Sequence, residues 1–156
     1  MKKILIFLSL IILATAQLSW PVFLTFFNTK PDLLLAFAIS LVFYFNIRVA
    51  LAAAIIAGLL KDAFLPKETA INTLFFAAWS YLAFRLSSQF STENNYMRLA
   101  VILFLCLLNN IALGIQSLNA GNLIPAGIFL RSLVLSSAYT GLVSPLILKL
   151  TRKISA

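Results

Sequence analysis

The stretch Ile4 to Phe27, ILIFLSLIILATAQLSWPVFLTFF, decides the fold, because it contains no charged residue. A transmembrane helix takes about 20 residues to cross a hydrocarbon core roughly 30 Å thick, and this run is long enough. Lys2 and Lys3 precede it and Trp20 stands towards its far end. Working outward, five further apolar segments follow: about Asp32 to Phe45, Val49 to Leu65, Ala70 to Leu86, Arg98 to Gln116 and Leu123 to Lys149. Leu86 to Met97 is the only sizeable polar segment and reads as a loop. Little more than Asn46-Ile47-Arg48 joins the second and third spans, which predicts an antiparallel hairpin. Met1 to Ala16 also has the basic start, apolar core and Ala14-Thr15-Ala16 ending that suit signal peptidase. The apolar run continues past Gln17 to Phe27, however, which favours an uncleaved first helix; the mass of the amino-terminal peptide separates the two readings.

Composition agrees. The chain has 156 residues, 62% apolar and 10% charged, with a mean hydropathy of +1.04. Soluble domains are roughly half apolar and about a quarter charged, so this chain needs lipid as its solvent. Six spans take about 120 residues and leave about 36 for tails and loops, which predicts one integral membrane domain over residues 1–156 and leaves no room for a soluble or tethered catalytic domain. The expected fold class is all-α, a polytopic bundle of six transmembrane helices.

Net charge is +8, from 12 basic and 4 acidic residues. The basic residues are dispersed, which argues against a nucleic-acid surface and for an orientation signal. With the amino terminus in the cytoplasm, Lys2, Lys3, Arg48, Arg85, Arg98, Lys149, Arg152 and Lys153 fall inside, while Lys30, Lys67 and Lys61 fall at or near the outside. Both termini are therefore expected in the cytoplasm. With no histidine and one cysteine, Cys106, in an apolar run, no zinc set, disulfide or Cys-His nucleophile can be assembled, and no cofactor is expected.

Charges inside spans are the informative positions, since each costs about 2.5–3.5 kcal/mol or more at the bilayer centre. Lys61 and Asp62 lie near the outer end of the third span and Arg131 about two turns into the sixth. Side chains lean towards the amino end of their helix, which lets Asp62 and Arg131 converge and permits an ion pair; alternatively Arg131 snorkels to phosphates and Asp62 sits beside Lys61 in the interface. Ala50, Ala54, Gly58 and Asp62, each four apart, have the small-xxx-small spacing of a close interhelical seam. Asn109 and Gln116 share a face of the fifth span with Cys106 and Ala112, with Asn110 beside it, and read as interhelical hydrogen-bonding residues. Pro31-Asp32 opens the second span as proline entry and N-cap. There is no Gly-rich phosphate loop and no GxSxG.

Taken together, Gln17, Lys30-Pro31-Asp32-Leu33-Leu34-Leu35, and Gly58-Leu59-Leu60-Lys61-Asp62 followed by Asn72-Thr73-Leu74 resemble the MreD family of bacterial rod shape-determining membrane proteins. The resemblance runs over essentially the whole chain, and Arg131 in the last span fits it. One departure is the outer loop, where Pro66-Lys67-Glu68-Thr69-Ala70 replaces the family's Gly-containing turn. The resemblance implies a non-enzymatic scaffold in the inner membrane, part of the cell-elongation machinery. Its direct partner would be MreC, with cytoplasmic MreB filaments, RodA and a class B penicillin-binding protein in the same assembly, membrane lipid around it and no nucleic acid. Gln17, Pro31, Asp32, Gly58, Asp62, Asn109 and Arg131 are the positions expected to set helix geometry or meet partners. The family's fold is also similar to the S component of energy-coupling-factor vitamin transporters, and a vitamin-binding role is the alternative, with Asn109, Gln116, Asn119 and Asn122 as possible pocket residues. An ion pathway would need ionisable groups in the inner half of the bundle, where the sequence has none.

Overall fold

The computed structural model describes residues 2–19, 29–64, 71–90, 94–119, 121 and 125–156. These residues form six α-helices and no strand: α1 Lys2–Leu18, α2 Leu33–Val42, α3 Ile47–Phe64, α4 Asn72–Gln89, α5 Asn95–Asn119 and α6 Ala126–Ser155. Trp20 and the far end of the first predicted span, the outer loop at 66–70 with Lys67, and Asn122 lie outside the described residues.

The centre of the bundle is α2. Its sequence, LLLAFAISLV, is apolar on every side, and all of its residues are buried, as expected of a helix with neighbours all round. It packs against each of the other five helices. The expected second span ran on to Phe45; instead the helix stops at Val42, and the N–H groups of Phe43, Tyr44 and Phe45 turn back onto the carbonyls of Ser40 and Leu41. At 1.5 Å per residue α2 is only ~15 Å long. The turn leads into α3, giving the expected antiparallel hairpin.

Around α2, α3 buries a face of small residues, Ala50, Ala53, Ala54, Ala57 and Gly58, together with Lys61. Gly58 is where the small face matters most: a Cβ there would lie 2.3 Å from Thr73 Cα, so α3 and α4 meet backbone to backbone. The inward face of α6 is instead a row of hydroxyls, Ser137, Thr140, Ser144 and Thr151, all buried. Each donates to the carbonyl four residues back at 2.7–2.8 Å, which satisfies it without water. α5 runs beyond its expected span of 98–116 at both ends and α6 beyond 123–149 at its carboxyl end, while α6 starts three residues later than expected; the segment between α4 and α5 is shorter than the expected polar loop.

α5 and α6 are long and apolar enough to cross a membrane. The outer surface is apolar as well: Ile4, Phe7, Leu8, Ile12, Leu74, Leu142 and Leu146 are each more than half exposed. At one end of the bundle Lys2 Nζ donates to the Ser155 carbonyl at 2.5 Å, so the start of α1 lies beside the end of α6.

Candidate functional site

A buried polar cluster is built around the first turn of α2. A helix start leaves backbone N–H groups without intrahelical partners, and in a dry interior each needs one. Asp32 is the N-cap; its Oδ1 accepts from Leu35 N–H at 3.3 Å. Leu34 N–H donates to Gln17 Oε1 of α1 at 3.2 Å. The backbone N–H of Asp32 donates to Thr140 Oγ1 of α6 at 3.0 Å. Oδ2, the remaining carboxylate oxygen, meets Lys61 Nζ of α3 at 2.5 Å, with both side chains about nine-tenths buried. The Lys61 ammonium also lies 5.2 Å from the centre of the Phe76 ring of α4, a favourable cation–π distance. Pro31, buried one residue before the cap, leads the chain in.

A second cluster joins α3 to α4. Ile71, the N-cap position of α4, offers no side-chain cap, and Asp62 supplies one from the neighbouring helix. Its Oδ1 accepts from the backbone N–H and the side-chain amide of Asn72 at 3.2 and 2.8 Å. Its Oδ2 accepts from the backbone N–H and hydroxyl of Thr73 at 3.0 and 2.6 Å. This cap sits one turn beyond Gly58, whose missing side chain allows the approach.

The Asp62–Arg131 ion pair that the sequence permits does not form. Both oxygens of Asp62 are held by the start of α4, Arg131 is an exposed residue of α6, and among the described residues the ion pair joins Lys61 to Asp32. Asn109 is fully buried; its Oδ1 accepts from Trp79 Nε1 of α4 at 3.0 Å, which bridges α4 and α5, while its Nδ2 is buried without a hydrogen-bond partner. Asn110 Nδ2 donates to Ser137 Oγ at 3.0 Å. A cavity of about 300 Å³ does lie between α5 and α6, lined by Asn110, Ser117, Ser132 and Ser136 among others, but not by Asn109, Gln116 or Asn119. Cys106 is buried at 2% exposure.

Sequence reading missed the partnership of Lys61 with Asp32 and the contribution of Thr140 altogether. A signal existed for each. Lys61 lies four residues after Ala57, on the face turned inward, and the Ser/Thr residues of α6 recur at spacings of three, four and seven, the pattern of one helix face.

Chemically these groups hold helix ends together; each polar atom of Asp32 and Asp62 named above is engaged by protein. No group of three His, Cys, Asp or Glu that could hold a metal occurs among the described residues. Compared with known proteins, the chain is matched over residues 1–154 by a family model described as rod shape-determining protein MreD. No curated protein and no solved structure matches it.

Proposed function

The chain belongs to the MreD family of rod shape-determining proteins, and from that premise we propose that it is a non-enzymatic scaffold of the cell-elongation complex, crossing the bacterial inner membrane six times as a single domain. It binds the bitopic protein MreC and helps couple MreB filaments to peptidoglycan synthesis by RodA and a class B penicillin-binding protein. Gln17, Pro31, Asp32, Gly58, Asp62 and Asn109 set the shape of the bundle, and Arg131 is the exposed position that meets a partner or a lipid phosphate.

The observation that carries this reading is the use made of the interior charges. Ionisable groups inside a membrane mark function by default, and here Asp32, Lys61 and Asp62 fasten α2, α3 and α4 to one another, while Gln17 and Thr140 tie α1 and α6 to the same start of α2 through backbone N–H groups. What remains for partners is the apolar outer surface, which suits lateral association of transmembrane helices. Two further features support the topology. The start of α1 lies beside the end of α6, and Lys2, Lys3, Arg152 and Lys153 gather there, the basic signature of a cytoplasmic end. Against the vitamin-binding alternative, Asn109 is fully buried with its Oδ1 held by Trp79.

Depletion of the protein in a rod-shaped bacterium tests the reading. Cells are expected to round up, and tagged protein is expected to bring MreC down from solubilised membranes. Unchanged rods with a defect in vitamin uptake would overturn it in favour of the transporter role.

A further inference from the structure

A groove of about 380 Å³ runs between α1 and α3, lined by Ile6, Phe7, Leu10, Ala52 and Ile56 among others, with Lys3 and Arg48 at one end. Both cations lie in the first turn of their helices, and neither first turn contains an acid. Positive side chains are unfavourable at helix starts, where the macrodipole is itself positive. Nor does a described carboxylate neutralise them, because Asp32 and Asp62 are both engaged elsewhere.

We propose that this groove is a binding site for an anionic phospholipid of the cytoplasmic leaflet, with one acyl chain lying along the apolar floor and the phosphate between Lys3 and Arg48. The inference rests on the six-span reading above, which puts these helix starts at the cytoplasmic surface. Two observations select a lipid as the occupant. The first is charge: basic pockets between helices at the cytoplasmic side attract anionic headgroups, and the lining changes from cationic to apolar within one or two turns, as a lipid does. The second is size. From Lys3 to Leu10, or Arg48 to Ile56, the groove is ~10–12 Å long at 1.5 Å per residue. Its volume then gives a cross-section of roughly 30–40 Å², whereas a helix about 10–12 Å across needs roughly 80–110 Å². A groove of that width takes an extended chain along its length, whereas a partner helix seats only part of one face in it.

Native mass spectrometry of the full chain, released from dodecyl maltoside micelles with matched amounts of dioleoyl phosphatidylglycerol or dioleoyl phosphatidylcholine, tests the site. The wild type is expected to retain phosphatidylglycerol preferentially. Lys3→Gln and Arg48→Gln should each weaken that retention about fivefold and together about 25-fold, while the pair Lys3→Arg and Arg48→Lys keeps it. Ala52→Leu, an exposed position that fills the groove, should weaken retention of both lipids with helix content unchanged by circular dichroism. Equal retention of the two lipids, or undiminished phosphatidylglycerol in the double glutamine variant, would overturn the proposal. So would a photoreactive residue at Phe7 that crosslinks in native membranes mainly to protein. The spectra decide the groove, whereas a reporter fused to the carboxyl end decides the topology, so the two readings fail separately.

Discussion

Lys61 and Asp62 are neighbours in sequence but about 100° apart around α3, and that rotation gives them different tasks. Lys61 faces inward to neutralise Asp32, while Asp62 faces α4 and caps it. Removing one member of a buried pair strands the other, at a cost of about 3–5 kcal/mol. Lys61→Met is therefore expected to reduce accumulation in membranes sharply, and the double variant Lys61→Met with Asp32→Ser, which keeps a capping oxygen, should recover most of it. Both are read from the melting of detergent-solubilised protein. Asp62→Ala loses a cap and should cost about 0.5–2 kcal/mol. Gly58→Val drives side-chain atoms into the Thr73 backbone and should cost about 1–3 kcal/mol or more by overpacking, with Gly58→Ala milder. The sequence carried part of this. Gly58 and Asp62 share a face at a spacing of four, which links the small-residue seam to the cap. Position along each helix was readable from the sequence. The direction of each side chain around its helix was not, and Asp62 was consequently directed towards Arg131.

At the scale of elements, the number of helices was legible because charges punctuate the apolar runs, while their lengths were not. Hydropathy marks where lipid would begin and end, but α5 and α6 continue past that boundary as helices, and α2 stops short of it. α2 ends early because the aromatic residues Phe43, Tyr44 and Phe45 make the turn, held by Arg98, which donates to the Tyr44 hydroxyl at 2.6 Å and lies 4.7 Å from its ring centre. The core is correspondingly concentrated on α2. Phe37, with no exposed surface, should cost about 3–5 kcal/mol when replaced by alanine. Leu8→Ala on α1, at a position 54% exposed, should change the melting little, so the ratio of the two effects measures how central α2 is.

On the scale of the whole molecule, a bundle with an apolar exterior and interior carboxylates engaged by its own helices is suited to holding neighbours. Reporter fusions at the two ends are expected to show both in the cytoplasm, and opposite locations would contradict the six-span arrangement. The family was legible across almost the full length because its short motifs include the helix starts at Pro31-Asp32 and Asn72-Thr73, where backbone donors demand particular side chains, and the residues at the ends of α1 and α3, Gln17 and Asp62, that supply them. Arg131 lies on α6, outside those motifs in sequence, and the carboxylate with which the sequence permits it to pair is engaged by the start of α4. The wholly buried α2 also has a consequence for biogenesis. On the six-span reading α2, too short to cross a bilayer alone, enters together with α3, and the hydroxyl that receives Asp32 N–H, on Thr140, lies 108 residues further along the chain. A nascent chain has no complete centre until its last helix leaves the ribosome. Synthesis that stops after α5 should leave α2 facing lipid on its α6 side, a form that membrane quality-control proteases are expected to clear.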